Sequence, residues 1–278
     1  MTMTMTLASN ATPTKSGPSC STCAIRSHCL SAGLDQSDLS KFQQRRTQTK
    51  IVHKGQYLYE VGDPFDALYV VRSGSIKATF IAADGTEQIS GFYLPGEMVG
   101  LDGIESQEHV TSAEALETCS VCVFPFATLM ALAQSVDSLQ CQLWHHASHE
   151  ITTRQRLLMT IGRRSAEGRV AEFLLSISGR FKSFGYSEAR FRLPMSRQDI
   201  GAYLGLSVET VCRVLTRFQD SGIVKREQRE ISIEDIDSLK ALSIGTIECS
   251  PRKSEQRPLR EHRSSRSENR VIHAVAAG

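Results

Sequence analysis

Eight cysteines are the first residues in this 278-residue chain that could do chemistry: Cys20, Cys23, Cys29, Cys119, Cys122, Cys141, Cys212 and Cys249. Three form a Cys-x2-Cys-x5-Cys run, in a segment with no helical or strand pattern to justify burying thiols. Thiolates this close on a short segment can wrap one metal centre, and a fourth ligand must then come from elsewhere. The spacing suits a four-cysteine zinc site and an iron–sulfur cluster equally, with a metal-free role as the third reading. Cys119 and Cys122 compete for the fourth place. Strand alternation puts Cys119 on the face of Val121 and Val123, the expected core, and Cys122 on the opposite face with Ser120. Cys119 and Cys141 read more simply as small buried hydrophobes. No apolar stretch precedes the first basic residue, Lys15, so no secretory signal is expected and the expected location is cytoplasmic. A disulfide framework is not expected in that reducing compartment. No nucleophile, base and orienting group can be recognised together, and there is no P-loop or nucleophile elbow, so an enzyme is not expected.

The second informative stretch is SRQDIGAYLGLSVETVCRVLTRFQD, residues 196–220. Ser196 with Asp199 three positions on is a helix N-cap signature, Gly205 fits a tight turn, and Ser207 caps a second helix. Ile200, Leu204, Leu206, Val211 and Leu215 point inward, which makes the stretch a helix-turn-helix. Its second helix then offers Val208, Glu209, Cys212 and Arg213 on the N-terminal face that reaches base edges. Arg is the usual bidentate partner of guanine, and Glu accepts from the cytosine amino group. Glu209 and Arg213 also have the spacing of a plain surface ion pair. Arg197 and Arg217, which flank this helix, are assigned to phosphates.

Charge agrees only when counted by segment. The chain holds 32 Lys+Arg and 30 Asp+Glu, a formal +2 that would argue against a nucleic-acid partner. Residues 160–226, however, carry 12 basic and 6 acidic side chains, against 11 and 15 in residues 1–159. A basic block around a helix-turn-helix is what binding to phosphates requires.

These groups need elements to position them. Hydrophobic residues make up 40% and charged residues 22%, as in a globular chain, and no apolar run is long enough to span a bilayer. The pattern predicts an α+β chain in five parts. Residues 1–19 are a disordered lead-in. Residues 20–126 form a sensor domain whose β-type runs and turn glycines predict an antiparallel sandwich or roll, with a hairpin at Asp84-Gly85. Residues 127–161 read as one long helix whose apolar stripe is either core or, the favoured reading, a dimer seam through Leu143, Ala147, Ile151 and Leu158, with Arg154 where an apolar residue is expected. Residues 162–245 form a winged helix-turn-helix, and 246–278 a basic disordered tail.

With those parts in place the chain resembles the CRP/FNR family of transcription regulators, and within it the fumarate and nitrate reductase regulator type. The stretches DIGAYLGLSVETVCRVLTRFQ, LYVVRSGSIKATFIAADGTEQISGFYLPGEMVGLDGI and ALETCSVCVFPF carry the resemblance, which runs from about Cys20 to Leu242. It implies a cyclic-nucleotide-binding-like β-roll, a dimerisation helix and a winged helix, forming a homodimer on palindromic TTGAT-type promoter sites. It also implies a [4Fe–4S] cluster held by Cys20, Cys23, Cys29 and Cys122, which supports the dimer under anoxia and is lost in oxygen. The reading motif is E-x-x-S-R, so Glu209 and Arg213 match while Cys212 replaces the serine. Arg154 stands where such regulators carry an acidic residue, and like charges of either sign would repel across a two-fold axis. His28, beside Cys29, adds a donor near an anionic cluster. The 81–88 hairpin resembles the family's loop for RNA polymerase. The segment HVTSAEAL lacks the Arg expected before Thr or Ser in a cyclic-nucleotide site, so no cyclic nucleotide is expected. The alternative is a regulator of the same fold with zinc or no metal, or one that responds to a cyclic nucleotide.

Overall fold

The computed structural model describes residues 19–46, 48–82 and 84–245. The expected disorder of the lead-in (before Ser19) and of the basic tail falls outside the described residues, as does Cys249.

Between Gln48 and Pro125, β-branched and aromatic residues alternate with turn glycines and form eight strands: β1 (Gln48–Val52), β2 (Tyr57–Tyr59), β3 (Ala67–Ser73), β4 (Ile76–Ile81), β5 (Glu87–Tyr93), β6 (Met98–Val99), β7 (Ser112–Ala115) and β8 (Cys119–Pro125). They build two four-stranded antiparallel sheets, ordered β1-β8-β3-β6 and β2-β7-β4-β5. Val52, Tyr69, Val71, Ile76, Val99 and Val121 pack between the sheets. Each such side chain contributes roughly 1.5–3 kcal/mol by leaving water. The β4–β5 turn is Asp84-Gly85, whose Asp84 carboxylate accepts from the Thr86 N–H at 2.9 Å.

The first sheet has a second apolar face, carrying Leu68, Val70, Cys122 and Phe124. Helices α1 (Gln36–Arg45) and α2 (Phe126–Ala133) cover it, with Phe42 stacked on Phe124 at 4.7 Å. Alternate residues of β8 point to opposite faces, so Cys119 lies between the sheets and Cys122 under the helices.

The long helix expected over 127–161 is two helices. α2 stops at Ala133, Val136 is extended (φ −135°, ψ 92°), and α3 runs from Asp137 to Arg163. Two local causes break it. The Ser135 hydroxyl bonds the Leu132 carbonyl at 3.0 Å, and Val136 turns into the core beside Leu132 and Leu139. Asp137 then opens α3 with an acid where the helix dipole favours one.

The C-terminal part comprises α4 (Ala166–Ser183), β9 (Arg190–Arg192), α5 (Arg197–Leu204), α6 (Val208–Asp220), β10 (Val224–Glu227), β11 (Glu230–Ile233) and α7 (Ile236–Ile244), with a wing sheet ordered β10-β11-β9. Ser196 and Asp199 form a reciprocal capping box, and Gly205 ends α5 in the left-handed region (φ 63°). Gly201 is required for the turn to close, because a Cβ there would stand 2.6 Å from the Leu206 carbonyl oxygen. The α+β winged-helix expectation holds.

The roll and the winged module share a core. Ile89, Phe92 and Leu94 of the second sheet pack with Phe173, Leu174 and Ile177 of α4. Lys77 of β4 bridges Glu114 and Asp199, each at 3.1 Å. Burial would raise the Asp199 pKa, but hydrogen bonds from Ser196 and then Lys77 more than offset it and hold the carboxyl below its usual value.

Candidate functional site

Cys20 and Cys29 are buried and Cys23 is half-buried in two short 3-10 turns, Cys20–Thr22 and Arg26–His28. Ser19 caps the first turn and donates to Gln43 of α1 at 3.0 Å, which pins the segment to the helix. Arg26 closes its far end by donating to the Leu34 carbonyl at 3.1 Å. The three thiols thereby join Cys122 in one apolar cluster beneath β8. None is in a disulfide. They lie close enough to feel one another's charge: Cys20 that of Cys122 and Cys23, and Cys29 that of Cys122 and Cys20. Burial pushes the Cys29 thiol up to about 12 and raises Cys20 and Cys122, while Arg46 and Arg72 favour the thiolates of the latter two. Arg46 also donates to the Cys122 sulfur at 3.9 Å. As the side chains stand, no group of three or more His, Cys, Asp or Glu among the described residues is set to hold a metal ion. The donor set nonetheless fits a thiolate-ligated centre: four thiols, three of them buried, in one apolar cluster with two guanidinium groups to offset their charge.

The apolar stripe of α3 divides. Val136 and Leu139 belong to the sensor core, Leu143 packs partly against it, and Ala147 is half-buried. Beyond them Trp144, Ile151 and Leu158 are 70%, 59% and 70% exposed, seven residues apart, with the exposed uncharged Ser148 and Gln155 between them. Arg154 does not face this stripe. Its guanidinium binds Glu150 at 2.6 Å, the Tyr93 hydroxyl at 3.0 Å and the Ser90 carbonyl at 2.6 Å. Ser90 is the extra residue of a β-bulge, since Ala78 pairs with Gly91 and Thr79 with Ile89, and the bulge aims its carbonyl at α3. Burial would lower the Arg154 pKa, but Tyr93 and Glu150 hold it above the usual guanidinium value. Within the chain Glu150 pairs with Arg154, so the guanidinium charge does not stand bare on the exposed face.

On α6, Val208, Glu209, Arg213 and Arg217 are exposed and Cys212 is half-buried. No ion pair joins Glu209 to Arg213 among the described residues, so the surface-pair alternative is not realised. Arg217 bridges Glu167 at the start of α4. Arg197, at the start of α5, faces Cys212 together with two wing residues, Arg226 and Arg229. Burial first and then the Arg226 charge push the Arg197 pKa below its usual value. The nearby acids are engaged elsewhere, Glu227 with Lys225 at 3.1 Å and Glu230 with Arg190 at 2.8 Å. Three guanidinium groups without a carboxylate partner among the described residues flank the reading helix.

Residues 49–136 match the cyclic nucleotide-binding domain family, and residues 168–242 match the Crp-like helix-turn-helix domain. The chain is 42% identical over 229 residues to the transcriptional activator protein Anr of Pseudomonas protegens, covering 82% of this chain and 94% of that one. The chain belongs to the CRP/FNR family. Within it, the FNR type is shared with the fumarate and nitrate reduction regulatory protein of Escherichia coli, 41% identical over 81% of this chain and 90% of that one. The solved structure of FixK2 from Bradyrhizobium japonicum superposes with a TM-score of 0.65 at 30% identity, covering 72% of this chain and 98% of FixK2. This FNR-type chain is a DNA-binding transcription regulator and not an enzyme. No helix among its described residues is long and apolar enough to cross a membrane.

The fold brings Cys20, Cys23, Cys29 and Cys122 together and sets Val208, Glu209 and Arg213 on one face. Of the seam residues, Ile151 and Leu158 are exposed, Leu143 and Ala147 are half-covered, and Arg154 turns away. Sequence reasoning missed Trp144, Arg226 and Arg229. The seven-residue step from Trp144 to Ile151 and Leu158 was a usable signal. Nothing local marks Arg226 and Arg229, whose place beside Arg197 appears only when the wing folds back.

Proposed function

We propose that this chain is an oxygen-responsive regulator in which Cys20, Cys23, Cys29 and Cys122 hold a [4Fe–4S] cluster, and which acts in the cytoplasm as a homodimer on palindromic TTGAT-type promoter sites. The observation that carries this reading is the convergence of four unbridged thiols from two distant segments in one apolar pocket. When bound, the cluster would supply an oxygen-sensitive centre. The chain's own residues do the rest. The thiols must lose their protons to bind iron, at a cost raised by burial and reduced by Arg46 and Arg72. The two short turns can draw in on Cys122 without disturbing a long helix. Cys122 lies on the sheet face that α2 and Leu139 of α3 cover, so loading acts on the elements that lead into the seam. Trp144, Ile151 and Leu158 present an uncharged apolar stripe to a second copy. Pairing the two copies sets two reading helices on the half-sites of a palindrome. Glu209 and Arg213 read base edges, and Arg197, Arg226 and Arg229 hold phosphates. The exposed Asp84-Gly85 hairpin is the surface offered to RNA polymerase.

A cyclic nucleotide is not the expected ligand, and Asp102 gives the reason. Its carboxylate accepts from the Val110 N–H at 3.1 Å and from the Thr111 N–H and hydroxyl at 2.9 and 2.8 Å. Donors of the HVTSAEAL segment are thus already engaged by an internal carboxylate, which supports that reading.

The test is anaerobic purification with iron, sulfide and zinc analysis, followed by titration of a TTGAT palindrome before and after air. Near four irons and four sulfides per chain, with affinity lost in air, is the expected result. A colourless protein with one zinc, or affinity indifferent to air, overturns the reading.

A further inference from the structure

The residue next to ligand candidate Cys29 touches the DNA-binding module directly. The His28 ring packs on Phe184, with centroids 4.5 Å apart and planes tilted by 48°. Phe184 is the C-cap of α4. Both side chains are half-buried and both rest on Gly96 in the β5–β6 turn. Gly96 is left-handed (φ 86°), and a Cβ there would stand 2.9 Å from the Phe184 ring and 3.1 Å from the His28 Cβ. Three segments therefore meet without a spare atom's width: the cysteine segment, a turn of the roll and the end of α4.

The corner is anchored on the α4 side. Arg180, one turn before Phe184, donates from Nε to Glu97 at 2.7 Å and from Nη2 to the Phe92 carbonyl at 2.7 Å, with a further contact between Nη2 and Glu97. Glu97 in turn accepts from the Leu94 N–H at 2.8 Å. The other side is a single 3-10 turn, held through the His28 N–H to the Ile25 carbonyl at 3.0 Å and by Ser27 on His28 Nδ1 at 2.8 Å. A stiff joint thus meets a short segment that carries three of the four candidate ligand cysteines.

We propose that the His28–Phe184 contact, seated on Gly96, is a mechanical link through which the cysteine segment acts on the winged module of the same chain, independently of the α3 seam. It rests on the reading that Cys20, Cys23 and Cys29 change ligation state. The link itself exists whatever they bind. Packed rings and backbones that cannot interpenetrate transmit displacement because the contact is discrete rather than compliant.

Hydrogen exchange on the full chain tests the link. In the metal-free protein, His28→Ala should speed amide exchange at residues 181–186 several-fold, and Phe184→Ala should do the same at residues 25–30. His28→Phe, which keeps a ring, should restore wild-type rates, a rescue that a loss of the imidazole's polar chemistry would not show. The two alanine changes together should do no more at either segment than the change in the other segment does alone. In protein loaded anaerobically, His28→Ala should reduce the ratio of DNA affinities with and without the cluster several-fold at unchanged iron content. Exchange at 181–186 indifferent to His28→Ala overturns the link, as does an unchanged affinity ratio at full iron content. Wild-type chain that takes up no iron defeats the cluster reading instead, and the metal-free exchange data still decide the link.

Discussion

Cys29 and Arg213 show how differently single residues carry this function. The Cys29 thiol, pushed up to about 12 by burial, stays protonated at neutral pH in the metal-free chain. Iodoacetamide, which needs thiolate and access, should therefore modify the exposed Cys141 first and Cys29 last, as mass spectrometry of a time course would read. Equal rates would mean the pocket is open. Arg213 is exposed and has no ion pair among the described residues, so Arg213→Ala should cost about 1–3 kcal/mol on the cognate site and relax preference at one base pair. Arg226→Ala should instead weaken all sequences alike and reduce the salt slope by about 1 per chain. Competition titrations at several salt concentrations separate the two. The shared exposed face of Glu209 and Arg213 was legible from spacing alone, because helix periodicity fixes a face. The place of Arg226 beside Arg197 was not, because it depends on a wing that returns to α5 only in three dimensions.

At the level of elements, the β-roll was legible where strands alternate and turns carry glycine. The two-residue β6 and four-residue β7 were too short to show a period. The break between α2 and α3 was hidden for another reason: apolar spacing runs through Val136 unbroken, and only tertiary burial makes that residue extended. The stripe beyond the break makes its own expectation. Leu158→Glu places a charge on a face meant to be shared, and should leave each chain folded but shift cluster-loaded protein to monomer in sedimentation. Trp144 is the chain's one tryptophan. Its emission should move to shorter wavelength when copies pair, and Leu158→Glu should abolish that shift. Arg154→Ala should cost about 1.5–3 kcal/mol of stability in urea unfolding, since it removes charge-assisted bonds between α3 and β5. If dimerisation changed at unchanged stability, Arg154 would belong to the seam after all.

For the whole molecule, the buried polar network at Asp102 sets an acid limit. Burial would raise its pKa, but His109 and then Thr111 more than offset this and hold the folded carboxyl below the ordinary 3.8. A depressed carboxyl contributes stability that is present above 3.8 and is lost as pH falls through the folded value. Asp102→Asn should therefore destabilise by about 1–3 kcal/mol at pH 7, with the gap to wild type closing below the ordinary value. Urea midpoints measured from pH 7 downward check this, and a gap constant with pH would exclude the linkage. Arg154 has a consequence at the same scale. Because its charge is neutralised by Glu150 in its own chain, the stripe through Trp144, Ser148, Ile151, Gln155 and Leu158 carries no charge at all. Self-association along that stripe should then be nearly blind to ionic strength, while attachment to DNA through Arg197, Arg226 and Arg229 falls steeply with it. Added salt becomes a dial that releases the promoter and leaves the dimer intact, so the two equilibria can be measured separately in one sample.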